Sequence, residues 1–457
     1  MTRSPALGGL TERAAVAAGL QAKGLAAASA ADKAELFGRA AEALGKLGLA
    51  AARPAYAMFV PGRIEVLGKH TDYAGGRSVV AAADRGFCLI ALPRDDATLR
   101  LLDVPWAQER TFEVHADLAP AAGDWSNYPM TVGRRVARNF SGRLRGADVA
   151  FGSDLPSAGG MSSSSALLVA SFLVLRRVND LDARPEYREN IRGIEDLAGY
   201  LGTCENGQTF GSLVGDKGVG TFGGSEDHTA ILCCRPDCLS CYSYCPVRFE
   251  TLLPLSRRFT FAVASSGVVA EKTGQAMEKY NRASRLARAV VEAWNQAAGR
   301  RDAHLAAALA SAAAEDIRRA VARASCRGFS GAEMVARFDQ FFEESQTIIP
   351  AAGRALARDD MAEFGRLVDR SQQGAERLLG NQVPETVFLA ASARQLGAAA
   401  SSAFGAGFGG SVWALVESAR AGKFVQDWSR TYRRQFPQRA DGANFFLTRA
   451  GPSAFDL

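Results

Sequence analysis

Apolar and polar positions along this chain repeat at two different periods, and the changes between them outline its elements. Residues 10–50 set Ala and Leu against Arg, Lys, Glu and Asp at helical spacing, which predicts one or two helices. Met58–Leu67 and Ser78–Leu92 are denser in apolar and β-branched residues and are bounded by Gly and Pro, so they predict strands. Shorter strands are predicted at Thr98–Val104, Thr111–His115, Ala147–Phe151 and Phe259–Ala264. Helical spacing returns at Trp125–Phe140, Ser163–Val178, Glu186–Cys204, Lys272–Ala297 and Asp302–Arg323, continues to Leu396, and recurs at Lys423–Phe436. Ile231–Cys234 and Leu239–Tyr244 read as a hairpin around Pro236-Asp237, and the glycine-rich stretch Asn206–Gly220 reads as a loop, a candidate mobile lid. Mixed strands and helices followed by a helix-rich half predict two domains, 56–255 and 256–457, behind a helical extension over residues 1–55.

Between the strand and helix predicted around residues 147–178 lies Asp154-Leu-Pro-Ser-Ala-Gly-Gly-Met-Ser-Ser-Ser-Ser-Ala-Leu167. Small residues feed four serines into the first turn of an apolar helix. A helix start offers unpaired N–H groups and the positive end of a dipole, which suits phosphate. Gly159 and Gly160 let a bulky anion come close, and the serine hydroxyls can bond phosphate or a metal ion. The same residues also fit an ordinary serine N-cap on a core helix. Two other glycine motifs invite false readings. Gly405–Gly410 fits Gly-x-Gly-x-x-Gly, but Ser411–Val416 after it is a strand pattern where a dinucleotide fold needs a helix. Gly62…Gly68-Lys69 is one residue too long for a phosphate-binding P-loop, and His70 stands where Ser or Thr would hold magnesium.

The net charge of +6 over 457 residues is modest and spread out, and no basic tract argues for nucleic acid. No apolar run reaches the length of a membrane span, and no signal-peptide pattern opens the chain, so the expected location is the cytoplasm. Five of the eight cysteines crowd into Cys233–Cys245. Their spacing fits either a zinc site or small apolar side chains packed in a hairpin.

Taken together, the segment Pro61-Gly-Arg-Ile-Glu-Val-Leu-Gly-Lys-His-Thr-Asp-Tyr-Ala-Gly-Gly76, the serine loop and Gly405–Ser411 resemble the GHMP small-molecule kinase superfamily. The His70-Thr71-Asp72-Tyr73 run is similar to its galactokinase branch, and Asp124–Tyr128, Gly223–Asp227 and Val383-Pro384-Glu385 add to the likeness. The resemblance implies an α+β, two-domain GHMP kinase fold, with a ribosomal protein S5 domain 2-like N-terminal domain and a ferredoxin-like C-terminal domain. It implies an ATP- and Mg2+-dependent enzyme that phosphorylates the anomeric hydroxyl of a monosaccharide. ATP would lie on Ser157, Gly159, Gly160, Ser162, Ser163, Ser164 and Ser165. Ser164 and Glu205 would hold the metal. Asp227 would act beside the acceptor hydroxyl with Arg63, and Lys69, His70, Asp72 and Tyr280 would bind the sugar. The expected partners are the sugar and ATP alone, with no nucleic acid and no membrane. The oligomeric state is open.

The chain departs from that pattern at several points. Lys69 stands where the branch has Glu near C6 of the sugar, His228 where it has Gln, and Ser371-Gln372 where it has Ser-His; Ala158 and Met161 replace the usual Gly and Leu. The reversed charge at Lys69 raises the alternative of a uronic acid, galacturonate or glucuronate, as substrate. A sugar- and ATP-binding sensor is the alternative of another class, disfavoured by the retained Arg63, Asp227 and serines. Mevalonate or homoserine as acceptor is disfavoured by the polar His70–Tyr73 cluster.

Overall fold

The computed structural model of the protein describes residues 5–121, 123–156, 159–268 and 274–457. Ser157 lies outside the described residues, as does Ala158. The first half builds an eight-stranded sheet. Its strands are β1 (Tyr56–Leu67), β2 (Arg77–Pro93), β3 (Thr98–Asp103), β4 (Gln108–Glu113), β5 (Ala147–Ser153), β6 (Cys238–Ser243) and β7 (Arg248–Pro254). The second sheet takes β8 (Phe259–Ser265), β9 (Ala400–Phe404), β10 (Ser411–Glu417) and β11 (Asn444–Thr448), and β12 (Phe455–Asp456) returns to the first.

The long apolar strands are explained by burial on both faces. Along β1, Met58 and Val60 join one core while Ala57 and Phe59 join another; along β2, Leu89 and Ala91 oppose Cys88, Ile90 and Leu92 in the same way. One face is covered by α1 (Arg13–Ala22) and α2 (Ala27–Gly45), whose Leu20, Phe37 and Leu44 are fully buried. The sheet path runs β12-β1-β2-β5-β3-β4, with β6 and β7 branching from β2, and among the described residues only β3 and β5 pair in parallel. The other face carries α3 (Asn127–Asn139), α4 (Ser163–Val178), α5 (Pro185–Asn190), α6 (Ile194–Asn206) and α7 (Glu226–Cys233).

The second sheet is antiparallel in the order β11-β8-β10-β9. In chain order its strands lie fourth-first-third-second, the ferredoxin-like arrangement, with a long helical excursion between β8 and β9 that starts at α8 (Gly274–Ala298). The chain leaves the first sheet at Pro254 and enters the second at Phe259, and its last strand crosses back to pair with Met58 and Phe59.

Several elements differ from the sequence reading. Ile231–Cys233 completes α7 instead of forming a strand, Cys234 follows as its extended C-cap, and the hairpin is β6 with β7. A four-residue apolar run satisfies both periods, and here Ile231 and Leu232 are a buried helix face. The predicted helix Glu186–Cys204 breaks where Gly193 is extended, and Asp302–Arg323 breaks at the extended Ala312. The stretch Asn206–Gly220 is pinned. Arg134 of α3 bonds Asp216 at 2.7 Å, Arg135 donates to Gln208 and Leu213 carbonyls, and Asn139 donates to that of Val214. Two buried guanidiniums on one helix make this stretch a fixed wall, not a lid. The cysteines are free thiols with separate partners, Cys238 Sγ at the Arg235 carbonyl and Cys241 Sγ at Glu250.

The N-terminal extension also reaches the serine loop. Lys33 on α2 is 2% exposed, and its Nζ lies 2.5 Å from Asp154 at the start of that loop. Asp154 in turn accepts the Gly86 N–H. Asp154→Asn leaves a buried ammonium without its counter-charge and should cost about 3 kcal/mol. Lys33→Met should cost clearly less, because Asp154 is partly exposed and keeps Gly86 and Arg85 nearby. Urea midpoints of the two variants check this; equal losses would show that the buried ammonium is not what holds the loop.

Candidate active site

The helix α4 begins without a side-chain cap. Ser162 sits in the left-handed region at φ 57°, and its hydroxyl makes no capping bond. Ser162, Ser163 and Ser164 instead line a cavity of about 740 Å3, together with Gly160 and Leu155. Among the readings of this loop, open serines at a 16-residue helix's positive end favour an anion site over a plain cap. The far wall of the cavity is aromatic, with Phe87, Trp106, Trp125, Tyr128 and Phe151. Trp106 is 68% exposed, unusual for so large an apolar surface. Rings of this kind suit the stacking of a flat group, and hydroxyls the binding of an anion.

The glycine motif at 405–410 is the turn between β9 and β10, so it opens no helix. Gly405, Gly407, Gly409 and Gly410 all have positive φ, which a side chain would strain. The turn clamps the serine loop, because Ser411 Oγ donates to the Gly159 carbonyl. It is held to the first motif by His70, whose Nε2 lies 3.1 Å from the Ala406 carbonyl and whose Nδ1 lies 2.9 Å from Tyr73 Oη. The carbonyl can only accept, which assigns the ring proton to Nε2. Burial, and the buried Arg337 nearby, push the His70 pKa down to about 4, so the ring is neutral.

Arg63 joins the two cavities of the site. It lines the large one and also a narrower polar one beside it. Its Nε donates to Asp227 at 2.7 Å and its Nη1 to the Gly160 carbonyl at 2.6 Å. Burial opposes the guanidinium charge, but Asp227, Glu65 and Glu226 outweigh it and hold Arg63 firmly protonated. Ser165 Oγ lies 2.8 Å from Glu205 Oε2 and 3.2 Å from Asp227 Oδ2, so one hydroxyl spans two carboxylates. His228 Nε2 is 3.2 Å from the same Glu205 oxygen, without the alignment of a hydrogen bond.

The narrower cavity is lined by Glu65, His70, Asp72, Glu226, Asp227 and Tyr280, among others. Asp72 Oδ2 accepts the Glu226 N–H at 3.2 Å, and burial raises its pKa. Gly223 and Gly224 allow this convergence. A Cβ on Gly223 would stand 2.6 Å from Tyr280 Oη, and one on Gly224 would stand 2.4 Å from Asp72 Oδ2.

Comparison with known proteins agrees with this arrangement. Family models for the GHMP kinases N-terminal domain, the GHMP kinases C-terminal region and the galactokinase galactose-binding signature match residues 127–204, 354–434 and 50–93. The chain belongs to the GHMP kinase superfamily, in its galactokinase-like branch. It is 29% identical over 380 residues to a galactokinase of Roseiflexus sp. (strain RS-1), covering 81% of this chain and 86% of that one. A galactokinase of Fusobacterium nucleatum is 24% identical over 412 residues, with 87% and 93% covered. A crystal structure of Lactococcus lactis galactokinase complexed with galactose has the same fold, at a TM-score of 0.73 and 20% identity over 88% of this chain and 95% of that one. Members of this superfamily use ATP as phosphate donor.

Within this GHMP kinase most of the residues singled out from sequence converge. Arg63, Asp227, Ser165 and Glu205 meet at the junction, while His70, Asp72 and Tyr280 line the narrow cavity. Two expectations are redrawn. The serine bonded to Glu205 is Ser165, whereas Ser164 faces the large cavity. Lys69 is buried, and its Nζ donates to Ser371 Oγ, which donates to Glu344; it does not line the cavity, and no carboxylate lies within 4 Å of it among the described residues. The sequence reading missed the aromatic wall and the two further acids, Glu65 and Glu226. Trp125 and Tyr128 lay inside a matched motif, so only a role was lacking.

The neutral His70 gives a pH test. It ionises at about 4 in the folded chain against 6.5 when free. Below pH 6.5 the unfolded chain therefore binds more protons, and this residue's contribution is lost as the pH falls towards 4. The buried carboxyls of Glu65, Asp72 and Glu226 pull the other way, since burial raises their pKa and protonation relieves it. Comparison with His70→Gln isolates the imidazole. Between pH 7 and 4.5 the parent should lose roughly 2 kcal/mol more than the variant in guanidinium titrations. Parallel pH curves would mean the ring is not held neutral.

Proposed function

We propose that the protein transfers the terminal phosphoryl group of ATP to the anomeric hydroxyl of a hexose, the sugar class named for its galactokinase relatives. The observation that carries this is the Arg63–Asp227 pair at the junction of the two cavities, with the serines on one side and Asp72 and Tyr280 on the other. A phosphoryl donor and an acceptor bound in the two cavities face one another there. Asp227 takes the acceptor proton, a role for a positioned carboxylate. Arg63, bonded to Asp227 and the loop carbonyl, fixes that carboxylate and presents positive charge where negative charge develops. Ser162, Ser163, Ser164 and the α4 amides bind phosphate, the aromatic wall binds the base, and the Gly405–Gly410 turn supports the loop from beneath.

The donor set also fits Mg2+. Glu205 offers a carboxylate and Ser164 or Ser165 a hydroxyl, both hard oxygens, with phosphate oxygens left to complete the shell. When bound, the ion neutralises charge on the transferring phosphate.

The uronic acid alternative rested on Lys69, and with that ammonium on Ser371 it loses its basis. A sensor needs no carboxylate held at the junction, so the Arg63–Asp227 pair favours catalysis.

Asp227→Asn should lower kcat by at least about 10²-fold while sugar and ATP still bind, the usual scale for a positioned proton acceptor. ADP release across a hexose panel, with 31P NMR of the product and calorimetric binding of both ligands, measures this. Undiminished turnover in the variant would remove Asp227 from the reaction.

A further inference from the structure

The narrow cavity holds more acid than phosphoryl transfer uses. Glu65, Asp72, Glu205, Glu226 and Asp227 line it, and Arg63 is the one Lys or Arg among the described lining residues. That guanidinium is already committed to Asp227 and the Gly160 carbonyl. The roles proposed above take Asp227 for the acceptor hydroxyl, Glu205 for the metal side and Asp72 for the sugar. Glu65 and Glu226 are left over. Both are more than nine-tenths buried, at 4% and 5% exposure. Glu65 Oε2 accepts the Gly405 N–H at 3.1 Å, whereas its Oε1 is buried with no hydrogen-bond partner. Lys69, further along the same motif, acts on Glu65 only through space, since its Nζ is bonded to Ser371.

A buried carboxylate oxygen without a partner is costly unless something supplies a donor. An ordinary hexose hydroxyl would give Glu65 a hydrogen bond but leave the acid surplus uncompensated. A protonated amine would give both hydrogen bonds and the opposite charge, the stronger interaction in a desolvated site. A uronic acid would add a sixth carboxylate beside five, and like-charge juxtaposition disfavours it.

We propose that the acceptor of this kinase is a hexose carrying a protonated amino group, and that Glu65, backed by Glu226, is the specificity-determining residue that receives it. Burial and the neighbouring acids raise both carboxyl pKa values although Arg63 pulls the other way, which accords with a site that would gain from a further positive partner. This inference rests on the sugar-kinase reading.

The test is kcat/KM with Mg-ATP for galactose and glucose against their 2-amino- and 6-amino-deoxy forms, with N-acetylated and uronic acid forms alongside. One amino sugar should exceed its hydroxyl parent at least tenfold, and N-acetylation, which removes the charge, should abolish that advantage. Glu65→Gln should cut the amino-to-hydroxyl ratio at least tenfold, mainly through KM. If a neutral hexose is used as well as any amino sugar, this inference is overturned and the kinase reading stands. If no sugar releases ADP, both fall. The parent's substrate ranking decides the matter even where the variant fails to fold.

Discussion

One buried guanidinium organises the catalytic half of this molecule. Arg63 leaves β1, passes beneath the serine loop and ends against Asp227 on α7. Three segments far apart in sequence are thereby fixed relative to one another. Removing a charge from water is expensive, and Arg63 is tolerated because every direction around it is answered: a carboxylate, a loop carbonyl and the face of Phe404. The charge that stabilises this convergence is the one a developing phosphate charge would meet. Stability and chemistry therefore draw on the same interaction.

The surrounding scaffold keeps that interaction rigid through tethers that lie outside the motifs. Lys33 of the N-terminal extension grips the start of the serine loop, Ser411 grips its middle, and Arg134 with Arg135 hold the wall that follows α6. Val219 at the end of that wall lines the nucleotide-sized cavity. That cavity is thus bordered by the exposed Trp106 on one part of its lining and by the end of a pinned stretch on another.

Much of this was legible in the sequence, for identifiable reasons. Ser163–Val178 was readable to the residue because a serine-to-apolar change starts the helix and Arg176-Arg177 ends it. Arg63, Asp72 and Asp227 were readable because a family pattern surrounds each of them. What escaped was whatever depends on side-chain direction. Lys69 follows a glycine at φ 117° and precedes a histidine in the left-handed region, and that backbone carries its side chain away from the neighbours its position suggested. Ser164 and Ser165 are adjacent on a helix, so they point about 100° apart, and sequence alone does not say which faces Glu205. Glu65 looks like an ordinary polar position in a strand, and only the closure of both sheet faces makes it a buried acid.

The return of β12 to the first sheet has a consequence for how the molecule comes apart. Met58 and Phe59 pair with Asp456 and Phe455, and the Leu457 N–H donates to the Ala57 carbonyl. The chain that builds the second sheet is thus stitched at both ends into the first, and Phe261, Val263 and Trp413 share one apolar core with Met58 and Leu89. Neither half can detach while the other stays intact, since separation would strip an edge strand and expose a common interior. Two-domain architecture usually permits sequential melting; here the topology makes the two halves a single cooperative unit, so loss of one is loss of both.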